Sequence, residues 1–126
     1  MFKNVDYIMV NTSDMKRSIE FYRDRIGFKL KFESPEWTEF DTGTTTLALH
    51  GGAVPKTASG VPSEKQTAGT CTFGFTVENV QKTYEALKER GVRFVLEPTQ
   101  RPNENIKLAI ALDPDGLGIS FAEMHE

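Results

Sequence analysis

An internal repeat constrains this chain more than any other feature, and such a repeat decides architecture before any single motif does. Residues 7–28 read strand, polar punctuation, helix, glycine, strand, and residues 72–94 read the same way. In the first copy Tyr7 to Asn11 leads to Asp14, whose carboxylate suits a helix N-cap because it can accept from the free amides of the first turn. The segment MKRSIEFYRDRI follows, with Met15, Ile19, Tyr22 and Ile26 at helical spacing, and Gly27 stops it. In the second copy Thr72 to Val77 leads to Glu78 and Asn79, then to VQKTYEALKER with the stripe Val80, Tyr84 and Leu87, then to Gly91. Asp14 follows Tyr7 by the interval at which Asn79 follows Thr72.

Further strands complete each half: FKLKF (28–32), WTEF (37–40) and TTLALH (45–50) in the first, VRFVLE (92–97), KLAIAL (107–112) and GISFAEM (118–124) in the second. The turns before the last strands also match. Asp41, Thr42 and Gly43 precede one, and Asp113, Pro114, Asp115 and Gly116 the other, so that Ala48 follows Asp41 by the interval at which Ser120 follows Asp113. Each half is therefore expected to be a βαβββ module, an α+β fold. The stretch 51–69 is rich in Gly, Pro and Ser and reads as a connector. The expected organisation is one domain over 1–126, with module one at about 1–52, a linker at about 53–68 and module two at about 69–126.

A four-stranded sheet carrying one helix covers one face with it. Ile8, Val10, Leu47, Leu49, Phe73, Phe75, Val77, Leu108, Ile110, Leu112, Ile119 and Phe121 recur at every second position and are assigned to the helix side. The period of two sends their neighbours to the other side. Those are Tyr7, Met9, Asn11, Trp37, Glu39, Ala48, His50, Thr72, Gly74, Thr76, Lys107, Ala109, Ser120 and Ala122. The set is small, mixed and polar, which suits a curved sheet lining a wet ligand cavity better than a dry core.

Bulk properties narrow the function classes. At 126 residues, 38% hydrophobic and 26% charged, the chain can bury one core. The net charge of −3 and the lack of a basic block argue against nucleic acid as a partner. No apolar run reaches membrane-spanning length, and MFKNVDYIMV reads as the first strand rather than a signal peptide, so a cytoplasmic protein without membrane partners is expected. Cys71 is the only cysteine, which excludes an internal disulfide and a thiolate zinc cluster.

The stretches DMKRSIEFYRDRIGFKL, VENVQKTYEALKERGVRF and DPDGLGISFAEM, in that order, cover nearly the whole chain. In this the chain resembles the vicinal oxygen chelate superfamily, which includes glyoxalase I, fosfomycin-resistance proteins, extradiol dioxygenases and bleomycin-resistance proteins. The resemblance implies paired βαβββ modules whose mixed sheets curl into a cup, and a homodimer. In metal-using members four side chains, usually His or Glu, point into that cup. One stands at the start of each module's first strand, here Tyr7 and Thr72, and one in each module's last strand, here Ala48 and Ser120. None is an ordinary ligand for Zn, Fe or Ni, which take imidazole, carboxylate or thiolate donors. A cofactor is therefore not expected, and a divalent metal is disfavoured. A slip of two residues would keep the facing and bring His50 to the place of Ala48.

Each remaining candidate has a plain and a functional reading. His50 is either a strand-end histidine near solvent or a cup-lining group that exchanges a proton with a ligand. Trp37, the only tryptophan, is either core or a plate on which a planar ligand stacks. Glu39 is either paired with a cation, for which Lys107 is the candidate, or a general base if desolvation raises its pKa. Tyr7 offers a phenol to a ligand or to water, and Met9 an adaptable wall. Thr72, Thr76 and Ser120 read as wall residues, since a hydroxyl nucleophile needs an adjacent base. Arg101 in loop 98–107 could clamp an anion, and loop 51–69 could fold over the cup.

The leading expectation is a bleomycin-resistance-like protein that holds a small, partly aromatic or amphipathic organic molecule in the cup without metal. Its ligand-binding set is Tyr7, Met9, Trp37, Glu39, His50, Thr72, Lys107 and Ser120. One alternative is a metal-dependent lyase, isomerase or dioxygenase of the glyoxalase kind. The other is a metal-free acid–base enzyme with His50 and Glu39 as the catalytic pair.

Overall fold

The computed structural model describes residue 1 and residues 3–54, 71–102 and 105–125. The connector expected at about 53–68 lies outside the described residues save for its first two, Ala53 and Val54. The chain divides into two compact units, Met1–Lys56 and Thr57–Glu126.

The first unit runs β1 (Tyr7–Asn11), α1 (Met15–Ile19), a π-helix over Glu20–Ile26, β2 (Lys29–Phe32), β3 (Trp37–Asp41) and β4 (Thr46–His50). Its strand order is β1-β4-β3-β2, with β1 parallel to β4 and the other pairs antiparallel. Asp14 caps α1 as expected, its carboxylate accepting from the Arg17 amide at 3.1 Å. The helix then widens. Gly27, at φ 98°, donates back to the Tyr22 carbonyl at 3.2 Å, five residues earlier, which is the π spacing. The wider turn buries Phe21 beside Tyr22, so the buried stripe is Ser18, Ile19, Phe21 and Tyr22, while Met15 and Ile26 are only half-buried. A strict 3.6-residue period misses Phe21 for that reason. Under this helix Tyr22 packs against Phe28 and Phe40, with ring centroids 6.4 Å and 6.1 Å apart. Phe40 and Leu49 are fully buried. Thr12 and Ser18 are buried beside them and share a hydroxyl–hydroxyl hydrogen bond, so neither polar atom is left orphaned.

The second unit repeats the plan: β5 (Phe73–Thr76), α2 (Val80–Glu89), β6 (Arg93–Gln100), β7 (Ile106–Leu112) and β8 (Gly118–Met124), in the order β5-β8-β7-β6. Asn79 caps α2 by accepting from the Lys82 amide at 3.0 Å, and Val80 and Leu87 face the core. The edge strand β6 continues through Pro98 to Gln100, past the point where the sequence suggests a loop. Its register with β7 shifts twice, between Phe94 and Leu96 and between Leu96 and Thr99, and an edge with a bulge is where a strand tolerates proline. Asp113 is buried in the turn before β8. Its Oδ1 accepts from the amides of Asp115 at 2.9 Å and Leu117 at 2.8 Å.

The alternation within β7 differs in phase from the sequence expectation. In β7 and β8, Ala109 lies opposite Phe121, Ala111 opposite Ile119, and Lys107 opposite Glu123. Directly opposed residues of an antiparallel pair share a face. Phe121 packs with Phe94, which meets Tyr84 of α2 at 4.8 Å, and Glu123 accepts from the Val80 amide at the start of α2. Ala109, Ala111 and Lys107 therefore lie on the helix face, and Leu108 and Ile110 on the other, beside Ala122 and Ser120. Both phases of KLAIAL are apolar, so period alone assigns no side. The alanines go inward because the phenylalanines of the neighbouring strands occupy the volume.

Candidate functional site

The face of the first sheet turned away from its helix gathers most of the chemistry. Two registers set it. Along β1 and β4, Tyr7, Met9 and Asn11 lie beside Thr46, Ala48 and His50. Along β3 and β4, Trp37 lies opposite His50 and Glu39 opposite Ala48. Tyr7, Met9, Trp37, Glu39 and His50 thus share one face, as the alternation requires, while Ile8, Val10, Thr38, Phe40, Leu47 and Leu49 share the other.

Trp37 is the centre of this face. It lies edge-on to Tyr7 with ring centroids 6.1 Å apart and edge-on to His50 at 6.2 Å. Its indole N–H donates to Glu39 Oε2 at 2.8 Å, a bond between neighbours on one side of one strand. The other carboxylate oxygen of Glu39 lies 3.7 Å from Lys31 Nζ, and that ammonium donates to the Thr46 hydroxyl at 2.7 Å. Trp37 and Glu39 are half-buried, Tyr7, Met9 and His50 are exposed, and Ala48 is fully buried between its strand neighbours. Such a face offers ring planes for stacking, a thioether that adapts its shape, and a phenol and an imidazole for hydrogen bonds. It does not present Glu39 as a free base, because both of its oxygens already have partners.

The second unit contributes less. Ser120 lies beside Gly74 and Thr76 beside Ala122 on the open face of its sheet, next to Leu108 and Ile110. Gly74 is required there: a Cβ would come 2.9 Å from the Ser120 Cβ and 3.0 Å from its carbonyl oxygen. Thr72 precedes β5 and is exposed. Lys107, expected on the open face as the partner of Glu39, is on the helix face opposite Glu123. The cation that meets Glu39 is Lys31. Its signal in the sequence is FKLKF, where alternation with the inward Leu30 sends Lys31 outward. Arg101 closes the β6–β7 hairpin with its amide donating to the Ile106 carbonyl at 3.0 Å.

The equivalent registers of the two sheets bear on the metal question. Met9 lies beside Ala48 and Gly74 beside Ser120, so these pairs hold corresponding places, and His50 corresponds to Ala122 rather than to Ser120. The places where the superfamily resemblance implies ligands hold the phenol of Tyr7, the methyl group of Ala48 and the aliphatic hydroxyls of Thr72 and Ser120, none of them an ordinary donor to Zn, Fe or Ni. Among the described residues no group of three or more His, Cys, Asp or Glu side chains stands together as a metal site.

Compared with known proteins, residues 4–121 match the family model described as Glyoxalase/Bleomycin resistance protein/Dioxygenase superfamily. The uncharacterized protein YraH of Bacillus subtilis (strain 168) is 30% identical over 113 residues, covering 86% of this chain and 88% of that protein. A probable chloroplastic lactoylglutathione lyase of Arabidopsis thaliana is 30% identical over 121 residues, covering 93% of this chain; the chain spans 35% of that relative's length. Among solved structures, a glyoxalase family protein from Enterococcus faecalis superposes with a TM-score of 0.80 at 21% identity, covering 97% of this chain and 98% of that one, a likeness of fold.

Proposed function

The chain belongs to the glyoxalase/bleomycin resistance protein/dioxygenase superfamily, and from that premise we propose that it binds a small, partly aromatic organic molecule on the open face of its first sheet, without a catalytic metal. The observation that carries this is the strand register that sets Tyr7, Met9, Trp37 and His50 side by side on a face its own helix leaves uncovered. The donor chemistry of Tyr7, Ala48, Thr72 and Ser120 supports the metal-free part. Lys31 takes the place of Lys107 beside Glu39, while Thr72 and Ser120 belong to the second unit and are not part of the face proposed. We also propose a homodimer in the cytoplasm, with the two βαβββ units as one domain.

The test uses the only tryptophan in the chain. Trp37 fluorescence is titrated with a panel of aromatic compounds, and saturable quenching with weakening of about tenfold in Tyr7→Ala is expected, the scale of one lost aromatic contact. Quenching that never saturates for any compound sinks the binder. One observation favours a second reading, a metal-dependent lyase of the glyoxalase kind: the 30% identity to a probable lactoylglutathione lyase of Arabidopsis thaliana. Zn, Ni or Fe at one equivalent per chain in untagged protein would put that reading first.

A further inference from the structure

Glu39, like His50, has the chemistry for proton transfer, yet its geometry describes another task. We infer that Glu39 is a positioning residue: it fixes the plane of the Trp37 indole for a ligand to stack on, and Lys31 fixes Glu39 in turn. The inference rests on the proposed ligand face and deepens it. It also removes Glu39 from the acid–base pair with His50.

Three contacts form one chain. The Thr46 hydroxyl accepts from Lys31 Nζ at 2.7 Å. Lys31 Nζ stands 3.7 Å from Glu39 Oε1. Glu39 Oε2 accepts from the Trp37 indole N–H at 2.8 Å. Tyr7 and His50 then stand edge-on to the indole, at interplanar angles of 75° and 73°. A half-buried tryptophan on the sheet face opposite its unit's helix would otherwise sample several rotamers, and ordering it at the moment of binding would weaken the ligand by the lost entropy. A ring already held by its N–H avoids that loss. Because the Glu39 charge is met by Lys31, the ligand sees a plate without net charge at this point. The class it selects is a flat aromatic ring whose ionised groups, where it has any, lie away from Glu39. His50 stands opposite Trp37 in the register rather than opposite Glu39, so the carboxylate is not placed to orient the imidazole.

The test has a ligand-free arm and a ligand arm, on wild type, Glu39→Gln and Glu39→Ala. Glutamine keeps an oxygen that accepts from the indole N–H and drops the charge. In the first arm, exchange of the Trp37 indole proton is followed by NMR. Wild type and Glu39→Gln should exchange about tenfold more slowly than Glu39→Ala, as one lost hydrogen bond of ordinary strength predicts. Equal exchange in all three overturns the inference, whatever binds. In the second arm, saturable quenching is measured with 4-nitrobenzyl alcohol, 4-nitrobenzoate and 4-nitrobenzylamine, one ring carrying three charges. Glu39→Ala should bind about tenfold more weakly than wild type and Glu39→Gln within about threefold of it, for each ring bound. If Glu39→Gln binds as weakly as Glu39→Ala, or fails only toward the amine, the charge touches the ligand and the positioning role falls. If wild type binds none of the three while the exchange pattern holds, the ring is held as inferred and it is the ligand-face reading that fails. Far-UV circular dichroism of both variants confirms that half-buried Glu39 is not needed for folding.

Discussion

Gly74 and Asp113 show how much a single position can carry in this fold. A methyl group at 74 would meet the Cβ and the backbone oxygen of Ser120 inside van der Waals distance, and only the strand can move to relieve it. Gly74→Ala should therefore destabilise the protein by about 1–3 kcal/mol, the ordinary cost of overpacking, read as a lower midpoint in urea. The effect is informative because alanine is otherwise the better residue in a strand. Asp113 is buried and satisfies two backbone amides. Asp113→Ala removes the carboxylate that both amides donate to and should cost about 1–3 kcal/mol. Its counterpart Asp41 is exposed and accepts from the Gly43 amide alone, so Asp41→Ala should cost clearly less in the same measurement. An equal cost at the two sites would mean that burial is not what distinguishes the repeated turns.

At the scale of elements, the two helices begin alike and proceed differently. Asp14 and Asn79 accept from the amide three residues on, at 3.1 Å and 3.0 Å. Replacing either by alanine should cost about 1 kcal/mol, with similar values in the two helices, by thermal or chemical melting. Beyond the cap, the first helix passes into a π-helix that inserts Phe21 into its core, and the second stays α-helical. Phe21→Ala should then behave as a core truncation, about 3–5 kcal/mol. A helix of 3.6 residues per turn facing the sheet through Ile19 and Tyr22 would leave residue 21 partly in water and make the change mild. Among the strands, β1, β3, β4, β5 and β8 keep the expected facing, and β7 reverses it. The difference lies in the side chains. In β4, leucines alternate with Thr46, Ala48 and His50, and only one phase can be buried well. In β7, Leu108 and Ile110 compete with Ala109 and Ala111, and both phases are apolar.

At the scale of the whole molecule, metal content separates the main readings. Protein purified without a metal-binding tag should carry Zn, Ni or Fe at well under one equivalent per chain by elemental analysis, because the places where the superfamily resemblance implies ligands hold Tyr7, Ala48, Thr72 and Ser120. By itself the sequence determined the repeated βαβββ plan, the Asp14 N-cap, the family and the facing of Tyr7, Met9, Trp37, Glu39 and His50. These follow from periodicity and capping, which are local properties of a chain and need no knowledge of what lies across the sheet. Only the tertiary structure decided that Phe21 enters the core, that Lys107 turns toward α2, and that Lys31 rather than Lys107 meets Glu39. Each of those depends on which side chains share a volume after strands have paired, and a pattern along one segment carries no record of its neighbour's bulk.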